Sequence, residues 1–176
     1  FHLQAGCPRE VTEYNLHCID SLGKQATGKI LQRIGELKNS KANKADITIG
    51  NPPYVRAIAE KWKDSGFVSE DSRNLSSYFL EQACRVTNNT GVVSQIVPLS
   101  LVQSKSCQST REMLESKCSE IEIKAFDCVP GYIFDQGKIG SNSNNSITQR
   151  VAIFSCKLGL SDSPIISTSR ESTRMA

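Results

Sequence analysis

The sequence predicts an α/β fold built on an open sheet. Short β-rich runs alternate along the chain with segments of helical spacing. The 176 residues are 38% apolar and 22% charged, which suits one globular domain with a real core and is too short for two comfortable ones. One strand-like run ends on Gly50 and is followed by two prolines, and open α/β sheets bind ligands beyond the carboxyl ends of their strands.

The elements follow in order. Residues 14–19 form a first candidate strand, closing on Asp20-Ser21-Leu22. Residues 24–37 place Ile30, Leu31, Ile34 and Leu37 at helical spacing. Residues 45–49 are a second short strand, and the polar stretch 56–74 is loop with some helix. Residues 75–86 carry Leu75, Tyr78, Phe79, Gln82, Ala83 and Val86 on one helical stripe. Asn88-Asn89-Thr90-Gly91 predicts a turn, and 92–97 a buried strand stopped by Pro98. Residues 110–117 predict a helix. Ile121, Ile123 and Ala125 alternate with Glu122 and Lys124, which predicts a half-buried strand near a sheet edge. A polar loop at 141–146 leads to a last strand at 147–156. Residues 1–160 are read as the domain, and the Ser/Thr-rich stretch 161–176 as a linker or frayed tail.

Composition narrows the function classes. Lys plus Arg is 21 against 18 for Asp plus Glu, so the net charge of +3 does not by itself indicate nucleic acid. Locally the balance differs: Lys24, Lys29, Arg33, Lys38, Lys41 and Lys44 face only Glu36 in that stretch, a face able to touch phosphates or simply to be solvated. No apolar run approaches the ~18 residues of a membrane span. The seven cysteines are odd in number and irregular in spacing, with no C-x-x-C pair, which argues against a zinc cage or a disulfide scaffold. Cys18, Cys128 and Cys156 lie in apolar runs, where a thiol acts as a small hydrophobe, and reduced cysteines in the cytoplasm are expected. His2 and His17 lack metal-ligand spacing, and no metal is expected.

One segment carries chemistry: Asp46-Ile47-Thr48-Ile49-Gly50-Asn51-Pro52-Pro53-Tyr54. The two prolines fix φ near −65° and remove two backbone donors, leaving carbonyls to accept. The Asn51 side chain and the Pro52 carbonyl make two acceptors for one exocyclic amino group, and the Tyr54 ring can stack on the flat system bearing it. An aromatic amine is a poor nucleophile because its lone pair is delocalised. Two acceptors on its hydrogens stabilise the positive charge that develops as it attacks a methyl sulfonium. A rigid strand-end turn without chemistry is the plainer alternative, since Asn-Pro commonly starts turns.

This segment resembles motif IV of S-adenosylmethionine-dependent amino-methyltransferases. The resemblance extends over residues 14–156 and is nearest to DNA adenine-N6 methyltransferases of the γ arrangement, including the methylase modules of type IIG restriction–modification enzymes. Ser77-Tyr78-Phe79-Leu80-Glu81, then Gly91-Val92-Val93-Ser94-Gln95-Ile96-Val97-Pro98-Leu99-Ser100, is similar to the helix and strand after that motif. Thr110-Arg111-Glu112-Met113-Leu114 and residues 121–127 resemble the approach to the sixth strand. Gly131-Tyr132-Ile133-Phe134, the polar loop and residues 147–154 resemble the hairpin into an antiparallel strand seven.

The resemblance implies a Rossmann-like methyltransferase sheet and transfer of a methyl group from S-adenosylmethionine to the N6 amine of a flipped adenine in DNA. It implies that Asn51, Pro52, Pro53 and Tyr54 are catalytic, with Tyr54 stacked on the base. Phe134 is implied as the second base-binding aromatic, with Tyr132 its competitor, and Asp20 as the contact to the cofactor's adenine. Phe134 equally suits a core position, and Asp20 the cap of the following helix.

The departures also matter. The family's glycine-rich cofactor loop has no counterpart: Gly6 stands alone, and Gly23 to Gly28 follows the wrong strand. Residues 14–19 correspond to the third strand, so the first two, and a C-terminal target-recognition domain, are expected in a longer protein. Alone, this chain is expected to be inactive. The same motif serves enzymes acting on RNA or on a protein glutamine, and a degenerate DNA-binding or scaffold module is a third reading. No Pro-Cys nucleophile of the cytosine-C5 type is present.

Overall fold

The computed structural model describes residues 18–23, 25–38, 43–57, 66–126 and 150–171. Its core forms where alternating strand residues meet helix stripes. Val93 and Val97 of strand β2 (Thr87–Pro98) and Ala152, Phe154, Cys156 and Leu158 of β4 (Val151–Leu158) share one face of a sheet. Onto it pack Leu80, Ala83 and Cys84 of helix α2 (Leu75–Val86) and Met113 and Leu114 of α4 (Gln108–Lys117). Leu80 is wholly buried, a position where truncation to alanine costs about 2–5 kcal/mol.

The described sheet has five strands in the order β1-β2-β4-β3-β5, with β1 at Ala45–Gly50, β3 at Cys118–Phe126 and β5 at Ile165–Glu171. β1 runs parallel to β2, and β4 lies antiparallel between β2 and β3. The antiparallel strand expected late in the chain is therefore present. Helix α1 (Ala26–Lys38) leans on α2 through a hydrogen bond from Thr27 Oγ1 to Gln82 Oε1 of 3.0 Å. A short helix α3 (Ser100–Gln103) follows β2.

Helix α2 starts where expected because Asn74 caps it: its Oδ1 accepts from the Ser76 N–H at 3.0 Å and the Ser76 hydroxyl at 2.9 Å. The expected turn at residues 88–91 is instead part of β2. Ala45 pairs with Thr87 but Ile47 with Val92, so the Asn-Asn-Thr-Gly run becomes an irregularity opposite Asp46. The sequence marks the run as a turn, but pairing with β1 carries the strand through it.

Three further expectations change. The stretch 161–176, expected to be a linker or frayed tail, contains β5, whose residues 165–171 pair parallel with β3. Its Ser/Thr content suits an exposed edge strand, where no apolar face is required. β3 accordingly lies one strand inside the edge. Cys18 and Ile19 are not in a strand, and residues 14–17 lie outside the described residues. Cys18 is also exposed, whereas Cys84, Cys107, Cys118 and Cys156 are buried and free. Cys7 and Cys128 lie outside the described residues.

Candidate active site

Strand β1 delivers the motif. Its pairing with β2 ends at Gly50 opposite Gln95, and after Asn51 the two prolines, Pro52 and Pro53, have no N–H to continue the ladder. Asn51 is exposed, Pro52 buried and Pro53 exposed, directly beyond the carboxyl end of β1. The Tyr54 hydroxyl reaches back to Asn51 Oδ1 at 2.9 Å and to the Ile96 carbonyl of β2 at 3.0 Å. It carries one proton, which goes to one acceptor at a time. Burial pushes the Tyr54 phenol above its ordinary range, so the hydroxyl stays protonated at neutral pH.

Behind Gly50 sits Gln95, a residue that sequence reasoning did not single out. Its Nε2 donates to the Phe79 carbonyl at 3.3 Å, while its buried Oε1 has no partner among the described residues. A Cβ on Gly50 would lie 3.3 Å from that Nε2, so the strand end fits closely against it. The available signal was a polar residue, Gln95, inside the otherwise apolar end of a strand.

The exit of the motif is held by backbone bonds. Leu75 N–H donates to the Val55 carbonyl at 3.0 Å, and Ala57 N–H to the Arg73 carbonyl at 2.8 Å. A second small core of Leu22, Ala57, Phe67 and Tyr78 closes around this exit. Leu22 belongs to the Asp20 turn, so the two loops expected to form the site meet in one cluster.

Asp20 does not cap the following helix, which begins six residues later at Ala26. Instead its Oδ1 accepts from the Leu22 N–H at 3.3 Å, making a tight turn before α1. It also lines, with Ile19, Gly23 and Lys29, an open cavity of about 410 Å³. Phe134 and Tyr132 lie outside the described residues. Among the described residues, no cluster of metal-ligating side chains occurs.

The sequence matches the Eco57I restriction-modification methylase family over residues 7–129, well over half of the chain. The chain belongs to that family. No curated protein matches it. The Eco57I-family chain also aligns with solved restriction–modification enzymes. With the DrdV–DNA complex the TM-score is 0.59 at 18% identity, covering 88% of this chain and 18% of that one. With a nuclease-deletion mutant of the Type ISP enzyme LlaGI, bound to a DNA substrate mimic, it is 0.54 at 16% identity, covering 82% and 16%. With LlaBIII, an ATP-dependent Type ISP enzyme bound to DNA, it is 0.53 at 16% identity, covering 79% and 11%. This chain thus spans less than a fifth of each of those proteins. At such identities the likeness concerns the fold, which for this methylase-family chain is an α/β sheet of five strands among the described residues. Among the described residues no helix is long and apolar enough to cross a membrane.

Proposed function

We propose that this Eco57I-family chain supplies the catalytic side of a DNA methyltransferase that modifies the N6 amine of adenine within a restriction–modification system. The observation that carries the reading is the Asn51-Pro52-Pro53-Tyr54 segment, set at the carboxyl end of β1 with Asn51 exposed. DNA as the partner draws support from the DNA-bound neighbours of this fold.

Asn51 Oδ1 and the Pro52 carbonyl accept the two hydrogens of the adenine amine and direct its lone pair outward. Tyr54 stacks on the flipped base. The amine takes the acceptor that the Tyr54 hydroxyl uses in this structure, and the hydroxyl retains the Ile96 carbonyl 3.0 Å away. Neither polar group is stranded by the exchange. In this reading the amine would gain the methyl and lose one proton, the cofactor would leave as its neutral thioether, and no residue of the chain would bond to the base.

S-adenosylmethionine, when bound, supplies the electrophilic methyl on its sulfonium. Asp20 fits the adenine end of that cofactor, because one carboxylate oxygen is engaged in the turn and the residue faces an open cavity. The described residues offer no glycine-rich cradle for the methionine end. We therefore read the chain as one part of a longer protein that also carries that cradle and a target-recognition domain.

The test incubates the full-length protein with labelled S-adenosylmethionine and DNA, RNA or release factor. Label in DNA adenine, lost in Asn51→Ala, is the expected result. Label confined to RNA or protein moves the function to another substrate, and no label anywhere favours a scaffold. Titration of S-adenosylmethionine into this chain alone should give weak or no binding.

A further inference from the structure

Glu81 is a charged side chain, 1% exposed, on the helix behind the motif. A buried carboxylate is costly unless every lone pair is used. Here all are engaged. Oε1 accepts from the Val68 N–H at 3.1 Å and the Arg85 guanidinium at 2.7 Å. Oε2 accepts from the Ser69 N–H at 2.9 Å and its hydroxyl at 2.8 Å. The donors open a short 3-10 turn over residues 68–72, whose first amides have no partner inside the turn.

Arg85 extends the same grip. It donates to the Gly66 carbonyl and lies 4.4 Å over the Phe67 ring, which stacks on Tyr78 at 5.2 Å between centroids. The turn is tied onward as well. The Ser72 hydroxyl donates to the Ser69 carbonyl at 2.7 Å and accepts from the Asn74 N–H at 3.2 Å. Arg73 and Leu75 then make the two backbone bonds to Ala57 and Val55. An unbroken series of bonds and packed rings therefore runs from Glu81 to the residues immediately after Tyr54.

We infer that Glu81 is a positioning residue for methyl transfer: it clamps residues 66–74 against α2 and thereby fixes the exit of the Asn-Pro-Pro-Tyr segment. An apolar residue of the same volume would fill the space, but it offers no directed acceptors for the amides of the turn. The inference rests on the reading that Asn51 and Tyr54 hold the target base.

The conservative variant Glu81→Gln keeps the shape and replaces one acceptor oxygen by a donor that faces donors. Amide hydrogen exchange of this chain reads the clamp directly. Protection of the Ala57 and Leu75 amides should fall at least tenfold in the variant, while amides of β2 and β4 keep their protection. In the full-length protein, kcat with labelled S-adenosylmethionine and unmethylated genomic DNA should fall about tenfold or more, with KM for both substrates unchanged. Unchanged exchange at Ala57 and Leu75 overturns the inference, and so does an equal loss across the sheet. Lost protection with kcat intact overturns it too. If Glu81→Gln does not fold, Ser69→Ala, which removes one bond and keeps the carboxylate, should give the same local pattern at about threefold. Failure of the underlying reading is separate: Asn51→Ala would then still methylate adenine.

Discussion

Gly91 sits where β2 passes Asp46, and its replacement by alanine is the sharpest test of how β1 is seated. A Cβ there would lie 2.6 Å from Thr87 Cγ2, 2.7 Å from the Asp46 carbonyl oxygen and 3.1 Å from the Asn88 carbonyl oxygen. Ordinary separations between such atoms are about 3.5–4.0 Å, so the added methyl is roughly 1 Å too close on two sides. Two of the three obstacles are backbone and cannot rotate away. Thr87 is also held: its hydroxyl donates to the Ala83 carbonyl at 2.7 Å and contacts the Thr48 hydroxyl at 2.6 Å. Overpacking of this kind costs about 1–3 kcal/mol. The relief is for β1 to move off β2, which carries Asn51 with it. Urea unfolding followed by circular dichroism should give Gly91→Ala a midpoint below that of the parent. Gly28→Ala is the control, since no heavy atom lies within 4 Å and the site is inside α1. That change should stabilise by about 0.5–1 kcal/mol. Equal midpoints for Gly91→Ala and the parent would refute the claim that the β1–β2 junction depends on a missing side chain.

Other outcomes follow from ionisation and exposure. Burial acts to raise the Glu81 carboxyl, but the Ser69 and Val68 donors and Arg85 outweigh it and hold it below its ordinary value. Its contribution is therefore present above the unfolded value of about 4.5 and lost as pH falls through the lower folded value. The gap in stability between the parent and Glu81→Gln should narrow at acid pH, and a constant gap in pH-dependent urea titrations would contradict this. The Tyr54 phenol, raised by burial, should ionise above the ordinary value of about 10, read as the 295 nm absorbance lost in Tyr54→Phe. Because the shift is upward, that stabilisation is complete below the unfolded value and disappears as pH rises through the folded one. Iodoacetamide should label exposed Cys18 in the native protein, and Cys84, Cys107, Cys118 and Cys156 only after unfolding. In the folded protein Cys156 is doubly protected, since hydrogen bonds with Cys118 and Cys84 and burial push its thiol well above the ordinary range. Mass mapping of the labelled peptides checks the order.

Periodicity made helix α2 legible to the residue, because Leu75–Val86 carries one apolar stripe; its asparagine cap emerged only in the structure. The motif was legible for a different reason: Gly50-Asn51-Pro52-Pro53-Tyr54 restricts its own backbone whatever surrounds it. What stayed hidden depends on partners distant in sequence. β5 has no apolar signature and exists because β3 offers it an edge. The irregularity at residues 88–91 reads as a turn until β1 pairs alongside it. Glu81 looks like one more solvated charge on a helix until the 3-10 turn arrives to use it. The Tyr54 hydroxyl was assigned only a ring to carry, since its bond to Ile96 spans 42 positions.

The placement of β4 has a bearing on how the chain acquires its structure. β4 comes late in the chain yet lies between β2 and β3, pairing Gln95 with Phe154 on one side and Ile123 with Phe154 on the other. Without residues 151–158, β2 and β3 face each other across a strand's width with no hydrogen bonds to share. Local elements such as α2 and α4 can form early, but the sheet closes only by contacts of long sequence separation, which are slow to make. On a ribosome, the apolar faces of β2 and β3 would emerge well before the strand that joins them. The sheet that seats Asn51 is therefore completed by a strand encoded a hundred residues downstream.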